Sequence, residues 1–453
     1  MFWAAAAGAL AASARRGLER VTAPGADEAG NAFGIVIDAG STGSRLHIFT
    51  WNASTAGERL PANLSTPVEL AADTFATTPG ISSPGGLDAL DTVLEHARTD
   101  LAPFKAKWGD IPIFLKATAG MRILTDARRQ GVMTQVRAKL RATGFQYRSD
   151  AQARVISGEE EGVFGWLTVN YRLGKLKQGE IFELEDTVGA LDLGGASTQV
   201  TFKPMASPDI LANLFPVRLG MQVAEDVYTH SFLHFGENEA IRRANRLVLL
   251  AAQGPGSVPN PCYPEGFRFE YEDLSTGRSV AMVGSSNYSA CHDTMDQLMD
   301  KGATCLTDPN PVPPAGSGVL LPPIDPGSPL TCSVGGVYQP PLNVTRFVAF
   351  SAFSYVWSFL GLPLQGSTPD MLRSAAAAFC ATSWEQAQKA HPGVPAKFLS
   401  SYCATASLAH SLLTTGYGLA GASTAVTVAD PSEDYDWALG SILWDANEAF
   451  RLR

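Results

Sequence analysis

No cysteine occurs in the first 261 residues of this 453-residue chain; all six, Cys262, Cys291, Cys305, Cys332, Cys380 and Cys403, come later. None belongs to a Cys-x-x-Cys pair, which argues against a structural zinc site, and an even number of widely spaced cysteines points to disulfides in an oxidising compartment. No run rich in Lys and Arg is present and the net charge is −10, so a nucleic-acid surface is excluded, and an anionic ligand would need a cation to mediate. GxxxxGK[ST], GxGxxG at a strand-to-helix junction, HExxH and GxSxG are all missing. Those absences remove P-loop, Rossmann, zincin and α/β-hydrolase readings. Apolar runs of spanning length are missing too. The N-terminal stretch has 13 apolar or small residues from Phe2 to Ala14 before Arg15 and Arg16, and reads as a signal-peptide core or a clipped signal anchor. The run from Phe347 to Leu362 carries three serines and a tyrosine and reads as a buried core helix.

What is present is an ordinary globular composition, 45% hydrophobic and 17% charged, long enough for two domains with full cores. Four N-x-S/T sequons (Asn52, Asn63, Asn287, Asn343) agree with a secretory lumen. From residue 31 to about 165, strand-like runs such as GIVIDAG, RLHIFTW and IPIFLKATAG alternate with helical spacing over Gly86 to Phe104 and Ala127 to Thr143. The theme repeats afterwards. Segment 254–342 differs in kind, with four cysteines and a proline-rich stretch, and reads as disulfide-stapled insertions on a second domain. His230 and His234, four apart, read as one face of a packed helix in preference to a metal pair.

Two short stretches carry the chemistry. VIDAGSTGSRLHIF around Asp38 and ALDLGGASTQVTF around Asp192 both read strand, Asp, apolar residue, Gly, hydroxyl-rich turn, strand. Their separation of 154 residues suggests a duplicated domain. Glycine turns let backbone N–H groups converge on an anion, and Ser or Thr hydroxyls add donors. Two facing turns would clamp a phosphate chain, and an Asp at the end of each preceding strand would hold Mg2+ or Ca2+. LKATAGMR offers a third turn with Thr118 placed to bond a phosphate. ISGEEEGVFGW puts three acids at a helix start; two of them serve the helix dipole, and one at the cleft would act as general base for a water.

Taken together, VIDAGSTGSRLHIF, LKATAGMR, ISGEEEGVFGWLTVNY, ALDLGGASTQVTF and DYDWALGSILW resemble the apyrase-conserved regions of the ecto-nucleoside triphosphate diphosphohydrolase (apyrase) family, in order and spacing, from residue 33 onward. The resemblance implies an α/β fold of two actin-like, ribonuclease-H-like domains about a nucleotide cleft. We expect domain I at 31–164 plus 430–453, domain II at 165–429, and residues 1–30 as signal or anchor. It implies stepwise hydrolysis of nucleoside tri- and diphosphates with Ca2+ or Mg2+. Glu161 would activate water; Asp38 and Asp192 would hold the metal through water ligands; Gln199 would lie beside the attacking water. Ser41, Thr42, Gly43, Ser44, Thr118, Ala119, Gly194, Gly195, Ala196 and Ser197 would grip the phosphates, and Tyr355 and Tyr402 would stack on the base. Expected disulfides are Cys380 with Cys403, which matches the family, and Cys262 with Cys291 and Cys305 with Cys332, which follow from locality. A monomer that is secreted, at the cell surface or in the Golgi lumen is expected, with membrane attachment only if the N-terminal segment is an anchor. The proline-rich stretch and the lack of an early disulfide depart from the family.

Three other readings share these turns. An exopolyphosphatase of the same superfamily would need neither stacking tyrosines nor disulfides. A sugar kinase of the fold would have less use for a glutamate suited to water. An actin-type nucleotide-binding protein would turn over slowly.

Overall fold

The β-branched run from Phe33 to Ile37 has apolar residues pointing to both faces, which suits the middle of a sheet covered on both sides. A computed structural model describes residues 31–52, 75–176, 187–204, 212–217, 225–252, 256–274, 276–300, 332–342, 346–433 and 435–451. In it, β1 (Asn31–Ala39) pairs antiparallel with β2 (Ser44–Asn52) and parallel with β4 (Ile113–Ala117). With β3 (Phe75–Thr77) and β5 (Ala153–Val155) they form a sheet ordered β3-β2-β1-β4-β5.

The second sheet repeats this plan. Its strands are β6 (Gly189–Leu193), β7 (Ser197–Phe202), β8 (Leu214–Val217), β9 (Glu225–Leu233), β13 (Phe347–Ser351) and β14 (Val426–Val428), ordered β14-β13-β6-β7-β9-β8. Read as β9-β7-β6-β13-β14, it matches the first sheet strand for strand, including every parallel and antiparallel step, with β8 an added edge. The duplication visible in two short hairpins is therefore a duplication of whole sheets, the actin-like arrangement.

Helices α1 (Gly86–Asp100), α2 (Ala119–Arg122) and α3 (Asp126–Arg141) belong to the first sheet, where Leu90, Val93 and Val136 meet Ile35, Ile37 and Leu115 in one core. The next helix does something different. α4 (Gly158–Arg172) leaves the first sheet from β5 yet packs on β6, β7 and β9 of the second. It spans the boundary expected at 164/165. Reciprocally, α11 (Trp437–Arg451) follows β14 and reaches β1. The two helices pack on each other, so Val36 and Phe49 from one sheet, Val348 and Phe350 from the other, and Val163, Trp166, Trp437 and Ile442 between them share a single core. At the crossing, Gly440 N–H donates to Thr168 Oγ1 at 2.8 Å, and a Cβ on Gly440 would sit 1.9 Å from the Phe164 carbonyl oxygen. An ion pair between the buried Lys116 Nζ and the half-buried Asp445, at 2.6 Å, ties β4 to α11.

On the second sheet lie α5 (Glu237–Ala251), α6 (Tyr288–Met299), α7 (Ala352–Leu360), α8 (Pro369–Cys380), α9 (Trp384–Ala390) and α10 (Ala396–Ser411). A small sheet of β10 (Val258–Asn260), β12 (Arg278–Gly284) and β11 (Arg268–Asp273) accompanies them. Disulfides join Cys262 to Cys291 and Cys380 to Cys403, as expected. Cys332 is disulfide-bonded too; its expected partner Cys305, the proline-rich stretch, residues 1–30, Asn63 and Asn343 lie outside the described residues. Asn287 is exposed and caps α6, its Oδ1 accepting from Ala290 N–H. No helix of the described residues is long and apolar enough to cross a membrane.

Two local readings change. The run from Phe347 to Leu362 is a strand followed by a helix, not one helix: Phe347–Ser351 enters the sheet between β6 and β14, and Ser351, with φ of 60°, turns the chain into α7. Its apolar residues satisfy either state, and the sheet's need for a central strand decides. His230 lies on β9 and His234 just past it, not on a helix, and they bond separately to Asn213 and Glu239.

Gly440→Ala is expected to force α4 and α11 apart and to destabilise by about 1–3 kcal/mol, the usual cost of overpacking. A thermal melt checks this; an unchanged Tm would show that the crossing relaxes freely.

Candidate active site

Asp38 and Asp192 end the equivalent central strands of the two sheets, facing Arg45 and Gln199 across their hairpins. The turns that follow, residues 40–43 and 194–196, meet: a Cβ on Gly195 would lie 2.6 Å from Ser41 Oγ and 3.2 Å from Thr42 Cγ2. Only glycine allows that approach. The N–H groups of Ser41, Thr42, Gly43, Gly195 and Ala196 pair with no backbone carbonyl among the described residues, which leaves them for an anion. Gly194 N–H instead bonds to the Ser197 carbonyl and closes the second turn. Gly43 and Ser44 are buried at the base of the first turn. Thr118 and Ala119, also buried, start α2, which is pressed on the first turn, since a Cβ on Gly120 would lie 2.7 Å from Ser41 Cα.

Local rules sort the three acids of GEEEG. Ser157 caps α4, and Glu160 completes the capping box and pairs with Arg154. Glu161 faces the second sheet. The helix lies flush there because Gly162 has no side chain; a Cβ on it would sit 2.6 Å from the hydroxyl oxygens of both Thr201 and Thr229. Glu161 thereby meets Gln199, whose Nε2 lies 3.1 Å from Glu161 Oε2, 2.8 Å from Ser197 Oγ and 2.9 Å from Ser231 Oγ. Arg122 Nη2 donates to the same Glu161 oxygen and to Ser197 Oγ.

Three carboxylates share this cleft almost dry: Asp38 is 6% exposed, Glu161 7% and Asp192 7%. Burial pushes Glu161 up to about 7, with Asp38 adding to the rise and Arg122 opposing it. Burial, then Glu161, push Asp192 up to about 8, against a hydrogen bond from Ser351. Arg45 Nη1 holds Asp38 Oδ2 at 2.8 Å.

Oδ1 of Asp38 and Oδ1 of Asp192 are buried and make no hydrogen bond. Two carboxylate oxygens without protein donors suit a hard divalent cation. No three His, Cys, Asp or Glu side chains among the described residues converge as a complete ligand set, so water would fill the remaining positions. Farther out, Tyr402 stacks in parallel on Phe359 with centroids 3.7 Å apart. Phe359 is one helical turn from Tyr355 on α7, and Tyr355 is close enough to Tyr402 to raise the acid range of its phenol after burial. The Cys380–Cys403 bridge fixes the residue next to Tyr402.

The sequence profile of the GDA1/CD39 (nucleoside phosphatase) family matches residues 26–450. The chain belongs to this family. It is 32% identical over 443 residues to ectonucleoside triphosphate diphosphohydrolase 2 of Gallus gallus, covering 91% of this chain and 82% of that protein. It is also 32% identical over 424 residues to ectonucleoside triphosphate diphosphohydrolase 1 of Bos taurus, covering 85% and 74%. The fold matches a crystal structure of nucleoside triphosphate hydrolases from Neospora caninum with a TM-score of 0.64, at 16% identity, over 93% of each chain. Against this family background, sequence reasoning missed Arg122, Arg45, Ser231, Ser351 and Phe359. Arg122 stood within LKATAGMR as a basic residue among small ones, a signal that was available; Ser231 and Ser351 carry none.

A carboxyl whose folded value is raised binds its proton longer in the folded protein than in the unfolded chain. Stability then falls as pH rises, here between the ordinary values of 3.8 and 4.5 and the raised values of about 8 and about 7. In chelator, the Tm is expected to fall from about pH 5 to about pH 8 through this effect, and Asp192→Asn is expected to raise it more at the alkaline end than at the acid end. An Asp192→Asn melt lying parallel to wild type across the range would contradict the assignment.

Proposed function

We propose that this protein is an apyrase: a divalent-cation-dependent hydrolase of nucleoside tri- and diphosphates that yields the monophosphate and phosphate. The observation that carries the reading is the convergence of Asp38, Glu161 and Asp192, all nearly buried, beside two facing glycine turns. Family membership and the names of its relatives point the same way.

In this reading the N–H groups of the two turns hold the terminal phosphates, with the hydroxyls of Ser41, Thr42, Thr118 and Ser197 beside them. Glu161 takes a proton from a water held by Gln199 and Ser197. The resulting hydroxide attacks the terminal phosphorus in line, and the bond to the bridging oxygen breaks. Arg122 fixes the carboxylate oxygen it bonds, so Glu161 presents one orientation. Bound Ca2+ or Mg2+, held by Asp38 and Asp192 through water, would supply charge neutralisation on the phosphates. Tyr355 and Tyr402 would stack on the base without reading its edge, which gives broad base tolerance. The disulfides and sequons suit an extracellular or secretory compartment.

Phosphate release from ATP, ADP, AMP and polyphosphate tests this, with Ca2+ or Mg2+ and again in excess chelator. Hydrolysis of ATP and ADP only with cation, and none of AMP, is expected. Activity confined to polyphosphate would overturn the reading. Glu161→Gln is expected to lower kcat on the order of 100- to 10,000-fold, the cost of a lost general base, while Glu159→Gln stays close to wild type. The reverse pattern would remove Glu161 from that role.

A further inference from the structure

A half-buried acid apart from these three carboxylates has no part in this chemistry. Glu237 is the first residue of α5, where a carboxylate commonly folds back on the helix N–H groups, yet it makes no such cap. Its side chain reaches across to α10 and accepts from Thr405 Oγ1 at 2.8 Å. Its second carboxylate oxygen has no hydrogen-bond partner among the described residues, and the Lys397 charge acts on it without forming an ion pair there.

Its neighbours on either side define what it faces. Glu237 N–H donates to the Gly194 carbonyl at 2.8 Å, and the next residue, Asn238, donates to the Gly195 carbonyl at 2.9 Å, so the start of α5 is bolted to the second phosphate turn. On the other side, Thr405 lies three residues after Tyr402 on α10, on the same helix face. Glu237 raises the acid range of the Tyr402 phenol further, after burial, as does Tyr355. The carboxylate therefore stands between the turn assigned to the phosphates and the rings assigned to the base.

We infer that Glu237 is a specificity residue for the sugar, accepting hydrogen bonds from the ribose hydroxyls of the bound nucleotide. The inference rests on the nucleotide-hydrolase reading above. The chemistry is restrictive: between base and phosphates a nucleotide offers a carboxylate no other hydrogen-bond donors. A carboxylate placed instead at the phosphates would repel them.

The test compares initial rates on ATP, 2′,3′-dideoxy-ATP and inorganic tripolyphosphate for wild type, Glu237→Gln and Glu237→Ala. Losing a hydrogen bond to a charged acceptor corresponds to roughly a 10- to 100-fold change. Wild type is expected to favour ATP over the dideoxy analogue by about that factor in kcat/KM. Both variants are expected to bring ATP down to the dideoxy level and to leave the dideoxy analogue and tripolyphosphate unchanged. A purely structural role for the Glu237–Thr405 bond would lower all three substrates together, and that result overturns the inference. So does a wild-type enzyme that treats ATP and its dideoxy analogue alike, which needs no variant to observe. No nucleotide hydrolysis by wild type would instead overturn the reading on which the inference rests, and the sugar assignment with it.

Discussion

Like charges in a dry cleft are the constraint from which the rest follows. Asp38, Glu161 and Asp192 arrive from two sheets and a helix and are all nearly excluded from water. Such groups repel, and burial penalises each charge. The protein's own compensation is partial: Arg45 on Asp38, Arg122 on Glu161, a Ser351 hydroxyl on Asp192. Two carboxylate oxygens stay without a donor. A site in this state is poised for a cation. It also explains how a chain with net charge −10 would accept a polyphosphate, because the local field would come from the cation and the turn N–H groups and not from the surface.

The duplicated sheet provides the symmetry, and the exchanged helices break it usefully. Each sheet contributes one strand-ending Asp and one glycine turn, and the turns face each other at Gly195 and Ser41. The base of the proposed reaction needs a third direction. It comes from α4, which leaves the first sheet and lies on the second, so that Glu161 stands over Gln199. Gly162 permits that contact and Gly440 permits α11 to cross behind it, so close backbone approach in two places sets the position of one carboxylate. The same core that joins the lobes thus aims the chemistry.

Much of this was legible because it is local. Both hairpins and the Asp that ends each strand are patterns within about a dozen residues, and Glu161 was singled out from the three acids by likeness to the family motif. Two of the disulfides were also readable, one from family likeness and one from proximity. What stayed hidden depends on distance in sequence. Arg122 meets Glu161 across 39 residues and Ser197 across 75. Ser351 reaches Asp192 only because β13 pairs with β6, and β13 itself was hidden inside an apolar run that suits a helix equally well. His230 and His234 carried helical spacing by chance, one on a strand and one just past it, where partners and not periodicity decide.

The most direct measurement is calorimetric titration of Ca2+ into the protein with a non-hydrolysable ATP analogue bound, for wild type and for an Asp38→Asn, Asp192→Asn double variant. The account predicts one tight cation in wild type and loss of that binding in the double variant, with the fold intact by thermal melt. Equal cation binding in both proteins would show that the paired aspartates are not there to hold a metal, and the explanation of the buried carboxylates would fall with it.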